Sequence, residues 1–182
     1  MNASRLVERT VPSPVGPLRL VASDEALVAI LFEDHAKKNA HVGTSYAVHD
    51  RHPVIDAVVL QLRAYFGGTR ERFDVPLAPE GTPFQNAVWS ALVGVPFGET
   101  LSYSDLAGRV GRRAAVRAVG AANGRNPLSI VVPCHRIVGK DGTLTGYAGG
   151  VDRKAWLLAH EARVRTVRSS EVRSGSSSFP AA

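Results

Sequence analysis

Apolar positions in the first part of the chain fall in short, strand-like runs and then change to helical spacing. Arg9-Thr10-Val11 and Leu18-Arg19-Leu20-Val21-Ala22 flank Pro14-Val15-Gly16-Pro17, a combination that predicts a hairpin closed by a Pro/Gly turn. A third apolar run of strand length spans Ala26 to Phe32, and the polar, aperiodic stretch from His35 to His52 predicts a loop. From Pro53, Val54, Val58, Leu62 and Phe66 recur at helical spacing until Gly67-Gly68 stops the helix. Phe73 to Leu77 predicts a short strand, and Ala78-Pro79-Glu80-Gly81 a linker.

Beyond the linker the pattern is mostly helical. Thr82 is a candidate N-cap, with Pro83 at the first helical position, Gln85 placed for a capping box, and Phe84, Val88 and Leu92 as the buried stripe. Pro96-Phe97-Gly98 ends that helix, and Ser102 can cap a second, Tyr103 to Val110. Gly111 separates it from a third, Ala114 to about Asn123, so the pair forms a helix-turn-helix pattern. Ala114, Ala115, Ala118, Gly120, Ala121 and Ala122 leave the third helix almost without side-chain bulk, suited to close packing on a core or on a nucleic-acid groove. Ser129 to Val132 predicts a strand held extended by Pro133, which puts Cys134 at a strand end. A glycine-rich loop from Gly139 to Gly150 contains Tyr147. The last helix, from about Asp152 to Arg163, is expected to bury Val151, Ala155, Leu158 and Ala162, with Glu161 on the flank. The Ser/Arg-rich tail is expected to be disordered from Thr166.

Composition narrows the class. With 182 residues, 45% hydrophobic and 21% charged, the chain can bury a sizeable core. No apolar run approaches a membrane span and the N-terminus does not read as a secretory signal, so the expected compartment is the reducing cytoplasm. Net charge is +6, and its distribution says more: between Asp105 and Asp141 there is no acidic residue. That stretch carries Arg109, Arg112, Arg113, Arg117, Arg125, Arg136 and Lys140, either a solvated basic face or a surface for a phosphate backbone.

The single cysteine, Cys134, excludes an intrachain disulfide and a Cys-rich zinc site. Free cysteines are commonly small buried hydrophobes, but this one is followed by His135 and Arg136, and an electropositive neighbourhood is expected to lower its pKa. Adjacent side chains on an extended segment point to opposite faces, so Cys134 and His135 need a turn or a bridging water to exchange a proton. Glu161 either orients the histidine or pairs with Arg165 one helical turn on.

The string Pro133-Cys134-His135-Arg136-Ile137-Val138 resembles the active-site motif of the O6-alkylguanine-DNA alkyltransferase (methylated-DNA–protein-cysteine methyltransferase) family. Its companions follow in the family's order: Thr82-Pro83-Phe84-Gln85 with Val88-Trp89, Pro96-Phe97-Gly98-Glu99-Thr100, Ser102-Tyr103-Ser104-Asp105-Leu106-Ala107 and Arg117-Ala118-Val119-Gly120. Asn126-Pro127, Gly146-Tyr147-Ala148-Gly149-Gly150 and Lys154-Ala155-Trp156-Leu157-Leu158 complete the series. The resemblance covers roughly residues 9 to 164, most closely from Thr82 onward, and this many motifs in sequence form a specific signal.

The resemblance implies an α+β fold: an N-terminal α/β ribonuclease H-like domain over 1–78, a mostly helical, winged-helix-like DNA-binding domain over 79–165, and a tail over 166–182. It implies one-turnover transfer of an alkyl group from O6-alkylguanine, with O4-alkylthymine as a second substrate, onto Cys134. His135 would be the base through a water, Glu161 its orienter, Asn126 a tie on the preceding turn, and Tyr103 a donor to the leaving base. Arg117 would enter the minor groove and replace the extruded nucleotide, with Ala118 and Ala121 allowing close approach and Tyr103 and Ser102 also meeting DNA. Tyr147, Ala148, Ile137 and Gly149 would wall the base pocket; some family members have serine at the Ala148 position. The partner implied is duplex DNA, bound by a monomer with room for cooperativity along the strand, and no metal or organic cofactor is implied.

Three other readings compete. An alkyltransferase-like DNA binder without chemistry usually has tryptophan in place of the cysteine, which Cys134 opposes. A helix-turn-helix transcription factor needs side chains for major-groove readout, where this helix offers alanines and one arginine. A cysteine hydrolase would turn over repeatedly without DNA.

Overall fold

The computed structural model describes residues 6–33, 41 and 44–175. Strands β1 (Val7–Val11) and β2 (Leu18–Ala22) pair antiparallel around the expected turn, where Gly16 adopts φ 95°. β3 (Leu27–Phe32) pairs antiparallel with β2 through a bulge at Val21/Ala22. The region expected to be a loop contributes a two-residue strand, β4 (Ala47–Val48), parallel to β1, giving the order β3-β2-β1-β4; part of it lies outside the described residues.

Helix α1 (Pro53–Phe66) lies against this sheet, burying Ile55, Val58, Leu62 and Tyr65, with Val54 and Phe66 at the margin. The strand expected at Phe73–Leu77 does not form. Only Leu77 makes a bridge, to Leu27, because the segment meets the sheet edge at one point.

Helix α2 (Pro83–Val93) starts with the complete capping box of Thr82 and Gln85, and a cap of this kind contributes about 1 kcal/mol. Strand β5 (Leu101–Ser102) leads into α3 (Tyr103–Arg109). Gly111 at φ 68° turns the chain toward α4 (Val116–Asn123), which is preceded by a 3-10 turn at Arg113–Ala115. α2, α3 and α4 pack on one another, and Trp89 Nε1 donates to the Ala122 carbonyl at 2.9 Å. One apolar core runs through both halves, from Leu18, Ile30 and Leu62 to Leu92, Leu106, Ile137 and Leu157.

The strand expected at Ser129–Val132 is absent. Ile130 adopts φ 73°, Val131 N–H donates to Ser129 O, and Val132 N–H donates to Leu128 O. A β-branched residue in this left-handed region costs about 1–2 kcal/mol, so the surroundings must enforce it. They do so from both sides: Ile30 N–H donates to Pro127 O at 2.8 Å, and Leu128 N–H to Asn126 Oδ1 at 3.0 Å. The first sheet thus holds the segment that leads to Cys134. The strand appears after the cysteine instead, as β6 (Ile137–Val138), parallel to β5.

Helix α5 (Val151–Gly175) runs well beyond the expected end near Arg163. Part of the tail expected to be disordered is therefore helical, anchored by Arg168 on Glu71 (2.5 Å) and on the Gly68 carbonyl (2.8 Å). The remainder, 176–182, lies outside the described residues. The buried stripe of α5 also differs from expectation. Lys154, Leu157, His160 and Glu161 face inward, whereas Val151, Ala155 and Ala162 face solvent.

Candidate active site

The local fold solves the adjacency problem at Cys134. Pro133 leads not into an extended segment but into a 3-10 turn, Cys134–Arg136, closed by Arg136 N–H to Pro133 O at 3.0 Å. All three side chains of the turn are buried. Asn126 Nδ2 donates both to the Val132 carbonyl (2.8 Å) and to Cys134 Sγ (3.1 Å). Asn123 Nδ2 reaches the Cys134 carbonyl at 3.4 Å. The thiol is therefore fixed from α4 and from the turn after it.

Burial pushes the thiol up to about 11, against the Asn126 hydrogen bond and the Lys154 charge, which favour the thiolate. The lowered pKa expected from basic neighbours does not occur, because desolvation outweighs them. Burial likewise lowers His135, which Glu161 only partly offsets. The resting site holds a neutral thiol beside a neutral imidazole.

His135 Nε2 lies 2.8 Å from Glu161 Oε1, and both side chains are fully buried. Glu161 does not pair with Arg165, whose guanidinium turns to the Gly98 carbonyl and Glu99. The carboxylate instead receives Arg136 through Nε (3.0 Å to Oε2) and Nη2 (3.0 Å to Oε1), the Gly98 N–H (2.8 Å) and the Tyr65 hydroxyl (2.7 Å). Gly98 at φ 68° adopts a turn that few other residues would accept, and this turn presents its N–H to the carboxylate. Burial alone would raise Glu161, but the hydrogen bonds and charges of His135 and Arg136 hold it well below the usual carboxylate range.

Arg136, Tyr65 and Gly98 were not assigned to this site from the sequence. The sequence places Arg136 both in the basic stretch and beside Cys134, without a link to Glu161. Here its guanidinium is buried, bonded to Glu161 and the Val95 carbonyl (2.6 Å) and placed over Phe97. Arg109, Arg112, Arg113, Arg117, Arg125 and Lys140 remain exposed.

Lys154 is a further unassigned member. Fully buried, its Nζ donates to the carbonyls of Ile137 (2.5 Å) and Thr145 (2.8 Å) and lies over the Tyr103 ring. Burial lowers it to about 8, against the field of the nearby thiol. Apart from its place at the head of the Lys154-Ala155-Trp156-Leu157-Leu158 motif, its sequence context reads like that of a solvated lysine.

Tyr103 donates to the Thr145 carbonyl at 3.0 Å, and burial raises its hydroxyl, which stays protonated at neutral pH. Ile137 is buried, and its carbonyl keeps a second lone pair beside the Lys154 bond. Tyr147 is buried edge-on to Phe32, with ring centroids 5.9 Å apart; Ala148 is half-buried. Gly149 packs so closely on Phe32 that a Cβ would lie 2.4 Å from its ring. On α4 the exposed face carries Arg117, Ala118 and Ala121, while Val119 and Ala122 point into the core. Ser102 caps α3, accepting from Asp105 N–H at 3.1 Å. Among the described residues no cluster of three or more His, Cys, Asp or Glu side chains is placed to hold a metal ion.

Comparison with known proteins gives a consistent picture. Residues 6–79 match the family model described as 6-O-methylguanine DNA methyltransferase, ribonuclease-like domain. Residues 83–163 match the model described as 6-O-methylguanine DNA methyltransferase, DNA binding domain. The methylated-DNA–protein-cysteine methyltransferase of Salmonella typhimurium is 44% identical over 164 residues, covering 86% of this chain and 96% of that relative. That of Methanosarcina acetivorans is 46% identical over 149 residues, with coverage of 82% and 94%. Among solved structures, Mycobacterium tuberculosis OGT in complex with DNA aligns with a TM-score of 0.79 at 42% identity, covering 87% of this chain and 94% of that one.

Proposed function

The chain belongs to the 6-O-methylguanine DNA methyltransferase family, and we propose that Cys134, His135 and Glu161 form the relay that carries out its reaction. The protein reverses DNA alkylation directly, taking the methyl group from O6 of guanine onto its own cysteine. The observation that supports this reading best is the 2.8 Å contact of His135 Nε2 with Glu161 on the turn that presents Cys134. With Nε2 donating to the carboxylate, Nδ1 carries the acceptor lone pair. The thiol proton passes to Nδ1 through one water, and Sγ attacks the methyl carbon as the C–O6 bond breaks. The electron pair enters the guanine ring, Tyr103 donates a hydrogen bond to it, and the displaced proton ends on the base.

Attack at an sp3 carbon leaves a thioether, which has no carbonyl for water to attack, so each chain acts once. O4-alkylthymine presents the same kind of exocyclic alkyl ether and is the second substrate of this reading. Every group in the relay comes from one chain, so a monomer suffices. No described helix is long and apolar enough to cross a membrane, and we place the protein in the cytoplasm.

The test is intact-protein mass spectrometry after incubation with duplex DNA carrying one O6-methylguanine. The expected result is a gain of one methyl group per chain, mapped to Cys134. DNA binding without mass gain would reassign the protein as a damage binder.

Arg117 is the finger of this reading, on the exposed face of α4 between bare alanines. Arg117→Ala is expected to slow repair of duplex DNA by about tenfold or more, because extrusion costs a few kcal/mol, yet to leave reaction with a free-base analogue nearly unchanged. Equal losses on both substrates would remove the assignment.

A further inference from the structure

We infer that Tyr65, from the first half of the chain, is a positioning residue for alkyl transfer: its hydroxyl holds the carboxylate that orients His135. This rests on the relay proposed above. Tyr65 is fully buried near the end of α1, 96 positions from Glu161, and its hydroxyl donates to Oε1 at 2.7 Å. That is the oxygen that also faces His135 Nε2 at 2.8 Å.

The ring cannot swing away. Phe66, Phe73, Phe97 and His160 surround it with centroids 5.3, 5.5, 5.9 and 5.4 Å away, and His160 Nε2 lies 2.9 Å from its carbonyl. A phenylalanine would fill the same space without burying a hydroxyl. Charge neutralisation does not require the extra donor either, because Arg136 grips both carboxylate oxygens and the Gly98 N–H adds a third contact. What the hydroxyl adds is specific to Oε1. By drawing electron density there, it weakens that oxygen as an acceptor for an imidazolium N–H and fixes the angle at which it meets His135.

The other charged or titratable groups facing His135 and Glu161 are Arg136 and Cys134 on the turn, Lys154 on α5 and Tyr147 on the loop before it. Of these groups and Tyr65, only Tyr65 belongs to the first half, so docking of the two halves completes the relay.

The test compares wild type, Tyr65→Phe and, as control, Phe73→Leu, which disturbs the same aromatic cluster without touching Glu161. Two quantities are measured: the methyl-transfer rate against pH, and the titration of the His135 ring by NMR. In Tyr65→Phe the freed oxygen should favour imidazolium, moving the His135 midpoint and the acid limb of the rate profile to higher pH. Loss of one hydrogen bond of ordinary strength makes the deficit on the acid limb of the profile larger than that on its neutral plateau by roughly threefold or more. Phe73→Leu should lower the melting temperature and leave the shape of the profile unchanged. A Tyr65→Phe profile parallel to wild type, or an unmoved His135 titration, overturns the inference. Should wild type transfer no methyl group, the relay reading fails, and the His135 titration still decides whether Tyr65 acts on that ring.

Discussion

Cys134→Ser is expected to abolish methyl transfer completely while leaving affinity for duplex DNA containing O6-methylguanine within about twofold of wild type. The second half of this expectation follows from burial: Cys134 is 3% exposed and is gripped by Asn126, so the side chain is not part of the DNA-facing surface. A serine hydroxyl can accept the same Asn126 hydrogen bond, so the turn should keep its shape. The first half follows from nucleophilicity. With the thiol at about 11, only about one molecule in ten thousand carries a resting thiolate at pH 7. In the proposed relay, attack therefore depends on handing the proton to His135 as the base is engaged. A hydroxyl is a far weaker acid than a thiol, and the same imidazole cannot ionise it usefully. Single-turnover transfer read by mass, with binding read by fluorescence anisotropy, checks both halves. Methyl gain in Cys134→Ser on any other residue would overturn the choice of nucleophile.

The high pKa of the resting thiol also separates what the sequence conveys from what it hides. Local signals survived folding wherever neighbours in sequence remain neighbours in space. The Thr82–Gln85 capping box, the Ser102 cap and the Gly111 turn were all legible because each involves residues only a few positions apart. The hairpin of β1 and β2 was legible for the same reason. The failures share a cause as well. Ser129–Val132 has the composition of a strand, but the sheet pairs only with Leu128 just before it, through Ile30, and the chain then turns at Ile130.

The inward face of α5 differs from the one its apolar residues predict, because apolarity is an unreliable guide where polar groups are buried in pairs. Lys154 and Glu161 look like solvent-facing residues, yet each is sunk in the core against partners distant in sequence: Ile137 and Thr145 for one, Tyr65, Gly98 and Arg136 for the other. Composition shows the charges but not that Arg136 faces inward, so the basic stretch includes one residue that is not on the surface. The motif series contains Cys134, His135 and Asn126, while Glu161 lies beyond it and was legible only as a carboxylate on the flank of the last helix; the structure brings all four together. The donors around Glu161 were not legible as such, since they arrive from three separate segments.

That ring of donors makes Glu161 the residue whose loss should damage the fold most. In Glu161→Ala, Arg136 would remain buried with only the Val95 carbonyl, and Tyr65 and His135 Nε2 would lose their acceptor. Breaking a buried ion pair by removing one partner costs about 3–5 kcal/mol. Natural domains have only about 5–15 kcal/mol to lose, so the variant should melt far below wild type and transfer nothing detectable. Acid should narrow the gap. Glu161 is held below the usual carboxylate range, so its contribution is complete above the unfolded value, about 4.3, and disappears as pH falls through the folded one. His135 acts earlier. Because its folded pKa is lowered, the unfolded chain takes up a proton below about pH 6.5 that the folded site refuses, and wild-type stability starts to decline there. The Glu161 part of the gap starts to shrink only below about pH 4.3, so urea midpoints for both proteins from neutral pH down to about pH 3.5 should draw closer at the acid end without meeting. An Ala variant within about 1 kcal/mol of wild type at neutral pH would mean that the buried network contributes little to stability, and that its donors are there for His135 alone.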